Sequence, residues 1–224
     1  MAQYFSNVCP LLLMQKIGED TADNIICRIK GKHDFKIVVG AHYDRIGGGY
    51  GVADNWSGIV LISRLIAEFK LIKPEATWEI IAFGAEESAV LGSKAYVRDN
   101  NTDGILAMIN VDTLGMGSVR IDSRSDTHLK CIAKDLANRI GIKMSSASLP
   151  GTTGDWEPFK RQGVSVLNIH SLDRRSMRKV HTRKDSARAI SDDGMQDAWL
   201  FLFNLSLYLD HKSGLVIEMS NPGI

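Results

Sequence analysis

Cysteine is scarce in this 224-residue chain: Cys9, Cys27 and Cys131 are odd in number, far apart and without a Cys-x-x-Cys pair. That spacing indicates neither a thiolate zinc site nor a disulfide framework, so all three are expected as buried thiols. Net charge is equally small, +1 from 27 basic and 26 acidic residues. A far field of neither sign gives no general reason to expect nucleic acid or a membrane surface as partner. No window reaches the roughly eighteen apolar residues of a membrane span, the nearest approach being AWLFLF at 198–203. The opening MAQYFSNVCPLLLMQ has no basic stretch before its apolar run, which Pro10 interrupts. It is poor signal-peptide material, and the simplest expectation is a cytoplasmic protein. Internal repeats and low-complexity segments are also absent.

What is present is a hydrophobic content of 44%, enough at this length for one substantial core and a single catalytic-size domain over residues 1–224. Strand-like and helix-like stretches alternate along it. Strands are predicted at 24–31, 36–42, 77–84, 105–113, 118–122 and 164–170. Helices are predicted at 56–70, 88–98, 126–140 and 191–212. That order argues an α/β fold, a three-layer sandwich with a mixed, mostly parallel central sheet and helices on both faces. Ile59, Ile62, Ile66 and Phe69 make one apolar stripe at helical spacing, which packs the first helix on the sheet. KGKHDFK at 30–36 reads as a hairpin connection, giving the sheet an antiparallel beginning. GLVIEM at 214–219 follows a glycine stop and reads as a short strand or extended tail, the start of a C-terminal tail over 214–224. The last helix is apolar on nearly all sides, so it is either deeply packed or partly buried in a second subunit, which would make the chain a homo-oligomer.

The polar residues at the strand ends share a chemical character: His42, Asp44, Asp54, Glu86, Glu87, Asp112 and His181 offer imidazole nitrogens and carboxylate oxygens, the donors that zinc accepts. Alone, His42 reads as readily as a satisfied histidine, and Asp112 as a cap or turn residue. The pair Glu86-Glu87 shifts the balance. Two adjacent carboxylates at the ligand-binding edge of a sheet raise each other's pKa unless a cation lies near.

HYD at 42–44, GVADNWSG at 51–58, AFGAEE at 82–87, NVDTLG at 110–115 and HTRKD at 181–185 occur in that order within residues 36–190. Together they resemble the zinc aminopeptidase family that includes bacterial leucyl aminopeptidases and aminopeptidase Y and, more distantly, glutaminyl cyclase. The resemblance implies the zinc exopeptidase (phosphorylase/hydrolase-like) fold and two zinc ions per chain. His42 and Asp112 would bind one, Glu87 and His181 the other, with Asp54 bridging them. It further implies Asp44 orienting His42, a cis peptide after Asp54, and hydrolysis of the N-terminal bond of a peptide or aminoacyl substrate by a metal-bridging hydroxide with Glu86 as general base. The chain departs from the pattern at Val180, where relatives have a tyrosine thought to stabilise the oxyanion, for which Tyr50 is a candidate substitute. It departs again at Trp156, where histidine is usual beside Asp155.

Three other readings stay open at this point. They are an amidohydrolase or carboxypeptidase on a different N-acyl bond, a glutaminyl cyclase-like enzyme, and a binding domain with a weak site. Gly47-Gly48-Gly49-Tyr50-Gly51 lacks the Lys-Ser/Thr of a phosphate loop and reads as a flexible connection that lets the backbone pass close to the site. DRRSMRKVHTRKD at 173–185 holds six basic residues around His181. It is either a solvated loop partly neutralised by Asp173 and Asp185 or a rim that favours acidic substrates.

Overall fold

The computed structural model describes residues 1–19, 21–149 and 151–220, with side chains as far as 214. Eight strands form one sheet: β1 (Leu12–Gln15), β2 (Asn24–Ile29), β3 (Lys36–His42), β4 (Thr77–Phe83), β5 (Ile105–Val111), β6 (Arg120–Asp122), β7 (Ser145–Ala147) and β8 (Val166–His170). Their order is β1-β2-β4-β3-β5-β8-β6-β7. The pairings β4–β3, β3–β5, β5–β8 and β6–β7 are parallel, and the other three are antiparallel. The sheet is therefore mixed and mostly parallel, as its alternating sequence predicts. Around it lie α1 (Ala2–Ser6), α2 (Ser57–Phe69), α3 (Leu91–Asp99), α4 (Thr127–Arg139), α5 (Trp156–Arg161) and α6 (Asp192–Ser220).

Alternation along the strands divides the core in two. Ile37, Val39 and Ala41 of β3 share one cluster with Ile59, Ile62, Ile66 and Phe69 of α2 and with Phe201, Leu202 and Leu205 of α6. Val38 points the other way, into a cluster with Phe83, Tyr96 and Phe159. Helices thus cover both faces, which is why all seven residues of β4 are buried. The loop leaving β3 turns to α2 on one face and the loop leaving β4 turns to α3 on the other. Adjacent strands whose connections part in this way open a crevice beyond their carboxyl ends.

Three expectations are corrected. Segment 30–36 is not a hairpin turn between paired strands, because β4 lies between β2 and β3. The antiparallel beginning comes instead from β1 on β2 and β2 on β4. Cys9 and Cys27 are not thiols but a disulfide. The β1–β2 pairing sets Leu12 opposite Cys27 and brings the two cysteine Cα atoms to 5.6 Å, within bridging range. Cys131 stays free and is exposed rather than buried. Segment 214–219 is neither strand nor tail, since α6 runs through it to Ser220; residues 221–224 lie outside the described residues. Gly214 continues the helix because its missing Cβ lets the helix lie against the Glu75 side chain, where a Cβ would stand 2.9 Å from Cγ. Four residues earlier, the Asp210 carboxylate accepts the Glu75 and Ala76 backbone N–H groups and the Trp78 indole N–H at 2.9–3.1 Å. That anchor ties α6 to the start of β4. The helix packs on α2 through Trp199, over which the Arg64 guanidinium sits at 4.1 Å; among its described large apolar side chains, Leu200 and Leu207 are exposed.

Candidate metal centre

At the carboxyl ends of β3, β4 and β5 the chain delivers polar residues in turn. His42 ends β3 and is buried, Glu86 and Glu87 follow β4, and Asp112 follows β5. Asp54 comes from a kinked turn, Val52–Trp56, ahead of α2, and His181 from the long loop between β8 and α6. The Asp54 carboxylate reaches both histidines, with Oδ1 3.1 Å from His42 Nε2 and Oδ2 3.0 Å from His181 Nε2. Asp112 Oδ1 stands 3.6 Å from His42 Nε2, and Glu87 Oε1 3.2 Å from His181 Nε2. All seven residues singled out in the sequence meet here.

Three sets of side chains each bring one ligand atom apiece to within 4.8 Å of one another: His42, Asp54 and Asp112; Asp54, Glu87 and His181; and His42, Glu86 and Glu87. Imidazoles and carboxylates in tight groups are what zinc accepts. Glu87 Oε1 is also buried without a hydrogen-bond partner, although His181 Nε2 is near. An oxygen that close yet not aligned for a hydrogen bond suits a cation between the two. The residues therefore fit a metal.

Electrostatics point the same way. Burial, and then the charges of Asp155, Asp112 and Glu87 working against His42, push the Glu86 carboxyl up to about 9. Burial and the Asp54 charge raise Glu87 as well. Burial would lower His42, but Asp112, Asp44 and Asp54 override it and hold its pKa well above the ordinary value. Asp54, for its part, is held far below the carboxylate range, its burial outweighed by His181 and His42. Such mutual dependence is that of a negative cluster short of positive charge.

Several devices hold these groups in place. The Asp44 carboxylate lies 3.5 Å from His42 Nδ1 and accepts the backbone N–H groups of Glu86 and Glu87 at 3.1 and 3.0 Å. It thereby couples the two motifs that follow β3 and β4. The Asp54–Asn55 peptide is cis, as the resemblance implies. Asn55 ties the turn to β5, its amide donating to the Val111 carbonyl at 2.9 Å and its Oδ1 accepting the Thr113 N–H at 3.1 Å. Ser57 Oγ donates to the Ala53 carbonyl and accepts the Leu114 N–H. His181 takes the left-handed conformation, φ +61°. Its backbone lies against Gly49, on which a Cβ would stand 3.3 Å from the His181 carbonyl carbon. The glycine-rich connection thus fits its reading as a close approach.

Asp185 was missed. Its side chain is 1% exposed, and its two oxygens accept the backbone N–H groups of Ala53 at 2.7 Å and Asp54 at 3.3 Å. It fixes the turn that presents Asp54. The signal lay in HTRKD itself, four residues after His181, where a charge-balancing role is the more obvious reading. Asp155 is also buried, both oxygens lack hydrogen-bond partners, and burial pushes it up to about 7. His170, on the cavity wall, accepts the Leu172 N–H at Nδ1, which leaves its proton on Nε2.

The cavity over the centre has a volume of about 360 Å³, with Leu149, Leu172, Met177 and Val180 as apolar wall. Tyr50 is 61% exposed and is not among the described residues that line it. Trp156 does not line it either; it packs in the second core cluster, with the Arg124 guanidinium 5.0 Å from its ring.

Fold and site together define an α/β protein with a clustered histidine–carboxylate centre at the switch point of its sheet. The model of peptidase family M28 matches residues 24–205. The chain belongs to this family. It is 27% identical over 220 residues to a vacuolar membrane protease of Leptosphaeria maculans, covering 89% of this chain and 26% of that protein. It is 28% identical over 204 residues to aminopeptidase YwaD of Bacillus subtilis, covering 84% of this chain and 44% of the relative. The solved structure of BSAP, a zinc aminopeptidase from Bacillus subtilis, superposes with a TM-score of 0.76 at 25% identity, over 84% of this chain and 50% of that one. The chain thus spans about a quarter to a half of these relatives' lengths. Among the described residues no helix is long and apolar enough to cross a membrane.

Proposed function

We propose that this chain is the catalytic domain of a zinc-dependent aminopeptidase holding two ions. The observation that carries this is Asp54, whose two oxygens face His42 and His181 separately, each histidine with a further carboxylate beside it, Asp112 or Glu87. His42, Asp112 and Asp54 would hold one ion and Glu87, His181 and Asp54 the other. When bound, zinc supplies a Lewis acid for the scissile carbonyl and lowers the pKa of the attacking water.

The chain's own groups do the rest. Asp44 keeps His42 oriented, and by accepting two N–H groups it sets where Glu86 and Glu87 leave the backbone. Glu87 faces His181. Glu86 is left to take a proton from the attacking water as its oxygen bonds to the carbonyl carbon, and to return that proton to the amine as the C–N bond breaks. The surrounding carboxylates supply the negative charge that a free α-amine requires. The Cys9–Cys27 bond supports folding in an oxidising compartment rather than the expected cytoplasm, where thiols stay reduced.

The test is a panel of free and N-blocked aminoacyl amides. Hydrolysis of the free substrates, lowered about 10²- to 10⁴-fold by Glu86→Gln with zinc content unchanged, is the expected result. Cleavage of blocked substrates alone would overturn the aminopeptidase reading, and full activity of Glu86→Gln would remove Glu86 as the base.

A further inference from the structure

The segment between β8 and α6 separates two hollows. Met177, Val180 and His181 face the metal cavity. Arg175, Arg178, Lys179 and Lys184 line a second hollow of about 410 Å³, together with Met116 and Asp173. The short 3₁₀ helix Ser176–Arg178 produces this division by sending successive side chains to different sides. Lys179 and His181 are two residues apart, a reach of at most about 7 Å between their Cα atoms. The second hollow is next to the metal centre.

The two acids of this segment neutralise it only in part. Asp185 is turned inward onto Ala53 and Asp54. Asp173 is occupied by the backbone N–H groups of Arg175 and Ser176, both at 2.8 Å, and by the Ser176 hydroxyl. The six cations Arg174, Arg175, Arg178, Lys179, Arg183 and Lys184 are exposed. None of their side chains has an ion-pair or hydrogen-bond partner among the described residues, whereas Arg28, Arg98, Arg124 and Arg161 each have a carboxylate within 2.8 Å. In a chain of net charge +1, four cations against the single Asp173 carboxylate around one hollow beside the reaction centre are a local excess that calls for a negative partner. A solvated loop would not need to aim them at a common space.

We propose that this hollow binds carboxylate side chains of the substrate, so that the protein prefers acidic peptides with Asp or Glu within a residue or two of the bond that is cut. This rests on the aminopeptidase reading and names its substrate class. Converging charges beside an active site raise the encounter rate of oppositely charged substrates, and the effect fades with salt.

The experiment compares the zinc-loaded protein on Leu-Glu-Glu-Ala and its isosteric partner Leu-Gln-Gln-Ala. The expected kcat/KM is about tenfold higher for the acidic peptide at low ionic strength, the ratio falling toward one in high salt. Arg178→Glu with Lys184→Glu should invert the ratio. Lys134→Glu with Lys143→Glu, the same change in net charge on exposed positions elsewhere, should leave it alone. Equal kcat/KM with the same salt dependence, or an equal response to both double variants, overturns the proposal. If neither peptide is cleaved, the aminopeptidase reading has failed. The hollow is then tested directly by fluorescence anisotropy of the same peptides labelled at the C-terminus. Tighter binding of the acidic one, lost in Arg178→Glu/Lys184→Glu, supports the proposal. Equal binding of the two peptides, or binding of a single-stranded oligonucleotide of equal charge at least as tight as that of the acidic peptide, overturns it.

Discussion

Glu86 and Glu87 are neighbours in the chain and donate adjacent N–H groups to the same Asp44 carboxylate, yet their side chains meet different surroundings. Glu87 ends beside His181 and Asp54, among the ligand atoms. Glu86 is half-buried with Asp155, Asp112 and Glu87 as its electrostatic neighbours. On the proposed reading the same residue type would serve two purposes, Glu87 as a donor to the metal and Glu86 as a base. Asp185 shows a related economy, acting only through the backbone of Ala53 and Asp54. Asp185→Ala should loosen the turn that carries Asp54 and weaken zinc binding about 10- to 100-fold, the range seen when groups that orient metal ligands are removed. Competition with a chromophoric chelator measures it, and unchanged affinity would show the turn to be held by Asn55 and Ser57 alone. All seven candidate site residues could be found in the sequence because each sits at the end of a strand or in a short motif whose residue types are unusual side by side. Asp185 was not, because an aspartate at the end of HTRKD reads as charge balance for the basic residues around it, and its backbone N–H partners, Ala53 and Asp54, lie far away in the chain.

At the scale of elements, the long strands and helices were legible because their hydrophobic periods are set by local geometry. The short ones were not. β1, β7, α1 and α5 have three to six residues each, too few for a period to show. The disulfide belongs to the same group, since Cys9 and Cys27 become neighbours only through the pairing of β1 with β2. Closing the 18-residue separation between them should stabilise the fold by about 3 kcal/mol. Urea unfolding of the zinc-loaded protein should accordingly show that loss in Cys9→Ser, and reductant should produce no further loss in the variant. A variant as stable as the parent would indicate that the amino-terminal hairpin is held by packing alone. Helix α6 teaches a different lesson. A glycine after a helical run ordinarily reads as a stop, but Gly214 lies where Glu75 packs against the helix and Asp210 has just anchored it, so tertiary contacts overrode the local signal.

At the scale of the molecule, the fold gathers buried acids around two histidines, and its stability without metal should depend on pH. The Glu86 carboxyl, ordinarily near 4.5, is pushed up to about 9 by burial. The unfolded chain releases that proton above about 4.5, while the folded protein keeps it until about 9, so stability falls as pH rises through this window. Asp155, pushed up to about 7 by burial, acts in the same sense from about 3.9 upward. His42 and His181, whose pKa values are raised by their carboxylate partners, contribute stability that is full below about 6.5 and lost as pH climbs through those raised values. All four slopes share one sign between pH 5 and 9. Thermal melts of chelator-treated protein should therefore drop by several degrees across that range. Glu86→Gln should flatten the curve, and reloading with zinc should largely remove it. A flat profile in the metal-free parent would show that these groups titrate normally.

The sequence by itself determined the α/β class, the order of the long elements and the seven candidate residues at the centre, because periodicity and residue chemistry are local properties that each segment carries with it. Only the tertiary structure decided which strands are neighbours, that β4 enters between β2 and β3, that two cysteines bond, and that Asp185 turns inward while the six cations beside it have no partner among the described residues. Those outcomes depend on contacts between segments far apart in the chain, where the burial of one group sets the charge state and the partner of another.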